Sequence, residues 1–325
     1  MNINHVTLPQ RPRRKHRVNS TKMASLKSWI KAARLRTLPL AMSGILMGAA
    51  VAYLDRGFNS TVTILAVVTA LFIQVFSNFA NDYGDSQKGT DNQQRVGPKR
   101  TVQSGEISPK QMKTGMIVLI LLSLTTGIWL VAEGTKGLDL SMFFLFLTFG
   151  IIALIAAFKY TAGRNPYGYA GFGDLAVFLF FGILPVAGTY FLNTHQITAE
   201  LFLPAVSIGL FSTGVLNLNN MRDIENDRNS GKMTMVVRMG SARSKIYHSL
   251  LILIGMLTSV MFAFVQGKST LQWLFLLAFP FFLNDLIQIN KITKPKQFDP
   301  FLKKLSLSTL LFTVLFGIGI LLMHR

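Results

Sequence analysis

The chain has 325 residues, of which 50% are hydrophobic and only 14% charged, with a formal net charge of +19 and a mean hydropathy of +0.41. That apolar excess excludes a disordered chain. The absence of cysteine excludes a disulfide scaffold, a thiol nucleophile and a Cys-ligated metal. The composition is that of an integral membrane protein.

Residues 1–22 form a basic arm in which Arg11, Arg13, Arg14, Lys15 and Arg17 lie close together. Such a run suits nucleic acid, but ahead of membrane spans it reads as a topogenic tail facing anionic lipid, and no nucleic-acid partner is expected. The arm is too long for a signal peptide, and no small-residue cleavage site follows the first span. From Met23 a single polytopic domain is expected, 23–325. It opens with an amphipathic interfacial helix, Leu26 to Ala33, anchored by Trp29.

Nine apolar runs follow, of roughly the 20 residues needed to cross ~30 Å of hydrocarbon as a helix. They cover about 38–54, 62–80, 116–132, 142–158, 175–192, 201–218, 246–265, 271–287 and 305–323. No alternation at barrel spacing is present, so the spans are expected to be helices, which satisfy their own backbone in lipid. With the N-terminus inside, the inner segments hold 29 of the 33 Lys and Arg residues. This bias predicts an N-in, C-out, all-α bundle. Two inner connections are long, 81–113 and 219–245. Each opens with Asn and a cluster of acids, four spans apart. This predicts two four-helix halves plus a ninth helix, with a site at the repeat interface.

In the first cluster Asn78, Asp82 and Asp85 stand at i, i+4 and i+7, on one face if the second span continues as a helix. In the second, Asn219, Asp223 and Asp227 stand at i, i+4 and i+8. Stacked carboxylates near lipid are costly without a positive partner. The nearby basic residues Arg95, Lys99, Arg100, Arg222, Arg228 and Lys232 are one candidate. A divalent metal is another: Mg²⁺ prefers oxygen and is held by one or two carboxylates plus substrate phosphates. Two matching clusters on equivalent spans favour metal and phosphate over a salt-bridge network that merely ends two helices. The Gly- and Tyr-rich stretch from Lys159 and Tyr160 to Asp174 reads either as a cap over an aromatic substrate or as interfacial tyrosines with a glycine hinge. Arg34 ahead of the first span is placed to reach a phosphate. Asp285 reads as a helix-end acid. The five histidines are scattered, and no Walker or dinucleotide motif is present.

The set Asn78, Asn81, Asp82 and Asp85, with Asp223 and Asp227, resembles the paired Asp-rich signature of the UbiA superfamily of intramembrane aromatic prenyltransferases, whose span count also matches. Segments 95–100, 160–174 and 219–232 are similar to the branch that acts on 1,4-dihydroxy-2-naphthoate in menaquinone synthesis. The resemblance implies that Asp82, Asp85, Asp223 and Asp227 hold Mg²⁺ against a polyprenyl diphosphate. It further implies that Asn78 and Asn81 complete the shell, and that Arg95, Arg100, Arg222, Arg228 and Lys232 clamp phosphate. Arg34, Asp91 and Lys99 join the substrate-binding set. Lys159, Tyr160 and Asp174 are expected near the acceptor ring, Asp174 to steer a proton. A bacterial cytoplasmic membrane is the implied location. Two rival readings stay open: prenylation of another ring such as 4-hydroxybenzoate, and cation-coupled transport with the acids as ion sites. Clean span interiors argue against transport.

Overall fold

In a computed structural model the described residues are 23–90, 96–267 and 269–323; the basic arm, Asp91 and Arg95 lie outside them. Among the described residues, nine helical segments are long and apolar enough to cross a membrane. The first is preceded by α1 (Leu26–Ala33), capped by the Ser25 hydroxyl, which accepts from the Ser28 amide. α1 is the expected amphipathic helix: Ser28 and Ala32 are buried, while Leu26 and Ile30 are exposed. Arg34 stops it with a left-handed φ of 48°. After a 3-10 turn (Leu35–Thr37), α2 (Leu38–Leu54) crosses the bundle.

α3 (Ser60–Lys88) starts on an Asn59 cap and stops at Gly89, whose φ of 74° suits glycine. Its 29 residues make it about 44 Å long, beyond the ~30 Å of hydrocarbon. The surplus carries the first acidic cluster out of the apolar layer on rigid helix. α4 (Pro109–Gly134) opens with a capping box between Ser108 and Gln111 and has Pro109 in its first turn. The expected inner loop of 81–113 therefore narrows to 89–108, because helix persists at both of its ends.

α5 (Leu140–Lys159) has no buried residue. A π-helical turn, Phe178–Ile183, joins α6 (Gly173–Val177) to α7 (Leu184–Thr194) within the fifth span. α8 (Phe202–Arg222) is the centre of the bundle, packed against the π turn, α11 and α13. A Cβ on Gly182 of the π turn would lie 2.4 Å from the Gly209 Cα, so the two backbones touch there.

The second long connection also contains helix: α9 (Ile224–Asn229) and α10 (Met235–Met239). α11 (Ser241–Gln266) follows. The eighth span opens as a 3-10 stretch (Thr270–Ala278) before α12 (Phe279–Lys291). α13 (Asp299–Met323) packs on both α2 and α8 and joins the ends of the chain. The main core lies here, with Phe211 stacked on Phe282 at 4.5 Å and Phe312 edge-on at 5.4 Å.

Candidate active site

Three segments gather at the C-terminal end of α3: the strap 96–108, the turn 160–172 and the loop 230–234. The α3 acids hold the strap. Asp82 is 1% exposed and accepts from the Thr101 amide at 3.1 Å, the Thr101 hydroxyl at 2.6 Å and the Val102 amide at 3.4 Å. Asp85 accepts from the Tyr169 hydroxyl at 2.9 Å and lies 3.6 Å from the Arg100 guanidinium. Asn78, on the same face, donates to the Ala33 carbonyl at 2.9 Å and so braces the left-handed step at Arg34. The Asn81 side chain accepts from Thr161 at 3.0 Å.

In the second cluster α8 ends at Arg222, and Asp223 sits at φ −101°, ψ 13° between α8 and α9. The i→i+4 bonds nevertheless continue, from the Asp223 amide to Asn219 at 3.1 Å and from the Asp227 amide to Asp223 at 2.9 Å. Arg222, expected to clamp phosphate, is instead fully buried. Its Nε and Nη2 donate to the two oxygens of Asp223 at 3.1 and 2.6 Å, and Nη1 donates to Asp299 at 2.6 Å. Nη2 also donates to Asn219 at 2.7 Å. The Gly97 amide donates to Asp223 at 3.3 Å, and a Cβ on Gly97 would meet the Arg222 guanidinium at 2.7 Å. These contacts tie the end of α8 to the start of α13. Arg228, also expected at phosphate, is exposed and pairs with Glu225 at 3.4 Å.

Lys232 is 6% exposed, 3.9 Å from Asp227 and 5.5 Å above the Tyr169 ring. Burial works against its charge, but Asp227 and Asp85 outweigh burial and hold its pKa above the ordinary lysine range. Burial raises the Tyr160 and Tyr169 phenols, and pushes Tyr167 up to about 12. Where a role for Asp174 beside the acceptor was expected, its carboxylate accepts from Tyr247 at 3.0 Å, tying α6 to α11. Lys159 is exposed.

Two cavities meet the C-terminal end of α3. One, of about 350 Å³, is apolar and is walled by α2, α3, α4, α5 and the π turn; Asn78, Asn81, Tyr160 and Tyr167 line it on its polar side. The other, of about 360 Å³, is basic: Lys31, Arg34, Arg36, Lys99 and Arg100 line it, together with Asp82 and Asn219 from the two clusters. Lys31, Arg36, Thr101, Tyr167 and Tyr169 are absent from the sequence-derived site, although Tyr167 and Tyr169 lie in the Gly- and Tyr-rich stretch singled out there. Arg36 carried a further signal, a second arginine beside Arg34 at the head of the first span.

The donor set fits Mg²⁺. Asp82, Asp85, Asp223 and Asp227 are all buried and all supply oxygen, and the buried side-chain oxygens of Asn220 and Asn226, in the second cluster, have no hydrogen-bond partner. Among the described residues no three acids or histidines converge on one point. An ion completed by phosphate oxygens suits that arrangement better than an all-protein cage.

These features define a membrane-embedded enzyme for an amphiphile with an apolar tail and an anionic head. The chain belongs to the UbiA prenyltransferase family, whose model matches residues 41–310. It is 42% identical over 299 residues to the 1,4-dihydroxy-2-naphthoate octaprenyltransferase of Haemophilus influenzae, covering 91% of this chain and 96% of that one. The fold is similar to that of a UbiA homolog from Aeropyrum pernix K1 (TM-score 0.67, 14% identity, covering 90% of this chain and 99% of that one). It is also similar to a UbiA homolog from Archaeoglobus fulgidus bound to GPP and Mg²⁺ (TM-score 0.57, 16% identity, covering 89% and 99%).

Proposed function

We propose that this protein transfers a polyprenyl group from a polyprenyl diphosphate to 1,4-dihydroxy-2-naphthoate in a bacterial cytoplasmic membrane, with the acidic clusters on the inner face. The allylic C–O bond breaks and releases diphosphate, a C–C bond forms to the naphthoate ring, and the ring carboxyl leaves as CO₂. The product is demethylmenaquinol. The observation that carries this reading is the pair of cavities, apolar and basic, that meet α3 at the neighbouring residues Asn81 and Asp82. The near full-length similarity to the naphthoate enzyme of Haemophilus influenzae supports the acceptor.

Arg34, Arg36, Lys99 and Arg100 bind the diphosphate in the basic pocket. Asp82, Asp85, Asp223 and Asp227 would hold Mg²⁺, with Asn78 and Asn81 beside it. When bound, Mg²⁺ neutralises charge on the leaving diphosphate. Lys232, kept cationic by Asp227 and Asp85, adds a fixed positive charge at the same level. The apolar chamber holds the first prenyl units and keeps water from the allylic carbon. Tyr160 and Tyr167 pack edge to face at 5.5 Å and present aromatic surface to the acceptor.

The test is an assay in detergent with a polyprenyl diphosphate and carboxylate-labelled 1,4-dihydroxy-2-naphthoate, with and without Mg²⁺. Mg²⁺-dependent release of labelled CO₂ together with a prenylated naphthoquinol is expected. Product with 4-hydroxybenzoate alone would overturn the acceptor, and silence with both would overturn the reaction.

A further inference from the structure

Tyr169 belongs to neither acidic cluster, yet it touches partners of both. Its hydroxyl donates to Asp85 at 2.9 Å and accepts from the Thr90 hydroxyl. Its ring face carries the Lys232 ammonium at 5.5 Å, and Lys232 lies 3.9 Å from Asp227. The backbone repeats the link: the Met233 amide donates to the Tyr169 carbonyl at 3.0 Å, and the Asn226 side chain donates to the Thr90 carbonyl at 2.9 Å. We propose that Tyr169 is a positioning residue that sets the spacing of the two acidic clusters around the metal-bound diphosphate. This rests on the reading of the site given above.

The division of labour within the residue makes the idea testable. The backbone bonds keep the turn in place without the hydroxyl, so Tyr169→Phe keeps the fold and the ring under Lys232. It frees one Asp85 oxygen to rotate. The carboxylate then loses the neutral donor that fixes its orientation, so the cost falls on the geometry of the ion site. Tyr169→Leu removes the aromatic face as well and releases Lys232.

The experiment is calorimetric titration of the detergent-solubilised protein with inorganic pyrophosphate in Mg²⁺, alongside thermal unfolding without either. Tyr169→Phe is expected to weaken binding about tenfold, the scale of one hydrogen bond to a charged group, at an unchanged unfolding midpoint. Tyr169→Leu is expected to weaken it further. In turnover, KM for the polyprenyl diphosphate rises while KM for the acceptor stays put. Equal pyrophosphate affinity in Tyr169→Phe and the parent overturns the proposal, as does a loss of affinity matched by a falling midpoint. Failure of the parent protein to bind pyrophosphate at all overturns the reading of the site, which is a distinct result.

Discussion

Arg222 and Asp299 are joined at 2.6 Å from a fully buried guanidinium, across 77 residues of chain, so that the end of α8 is locked to the first turn of α13. The same guanidinium grips Asp223. Position and charge of the second cluster therefore depend on a helix that contributes no acid expected at the metal. Removing one partner of such a buried pair typically costs about 3–5 kcal/mol. Arg222→Ala is expected to lower the thermal midpoint by several degrees and to cut the yield of folded protein. Arg222→Lys is expected to fare little better, since lysine lacks the planar fork that reaches Asp223, Asn219 and Asp299 together. A parental midpoint for Arg222→Lys would show that charge alone suffices.

Asp82 holds the strap through Thr101 and is assigned to the metal, and the two roles separate by substitution. Asp82→Asn keeps an oxygen for the Thr101 amide but loses the charge. Turnover is expected to fall by at least ~10²-fold, while size-exclusion behaviour and thermal midpoint stay near parental. Thr101→Val leaves the carboxylate charged and loosens the strap, so it raises donor KM more than it lowers kcat. Steady-state kinetics on both variants checks the split.

The chamber tyrosines bear on pH. Burial raises the Tyr160 phenol and pushes Tyr167 up to about 12, so both are neutral hydroxyls throughout the working range. Each would ionise only as pH rises through its folded value, above the ordinary ~10 of a phenol. Between pH 7 and about pH 10 no limb of the rate profile is expected from either group. Tyr160→Phe and Tyr167→Phe should give profiles parallel to the parent over that interval. A basic limb that vanishes in one variant would show that its phenol ionises during turnover.

Gly182 and Gly209 give a packing prediction. A Cβ on Gly182 meets the Gly209 Cα at 2.4 Å, backbone against backbone, where no side chain can turn aside. Gly182→Val is expected to separate the π turn from α8 at a cost of about 1–3 kcal/mol or more, read as a lower thermal midpoint. Gly137, with nothing within 4 Å of an added Cβ but a φ of 82°, is the contrast: Gly137→Ala costs only backbone strain.

Much of this architecture was readable because it depends on local pattern. Span length and charge bias mark the helices, and the spacing of Asn78, Asp82 and Asp85 already puts them on one face of α3. The amphipathic segment Leu26–Ala33 forms as its periodicity predicts. What escaped depends on partners distant in sequence. That Tyr247 of α11 donates to Asp174 is visible only in the fold. So is the pairing of Arg222 with Asp299 of α13. The break at Asp223 has no glycine or proline to announce it. Thr101 and Tyr169 reach the acids of α3 from separate segments, and no spacing rule encodes those contacts.

The contrast between α5 and α8 has a consequence for how this enzyme changes over time. α5 walls the chamber yet buries none of its own side chains, whereas α8 sits at the centre of the core. On α5, then, the residues that wall the chamber are not ones that hold the core together. Substrate preference can drift through substitutions on α5 while thermal stability stays where α8 has set it.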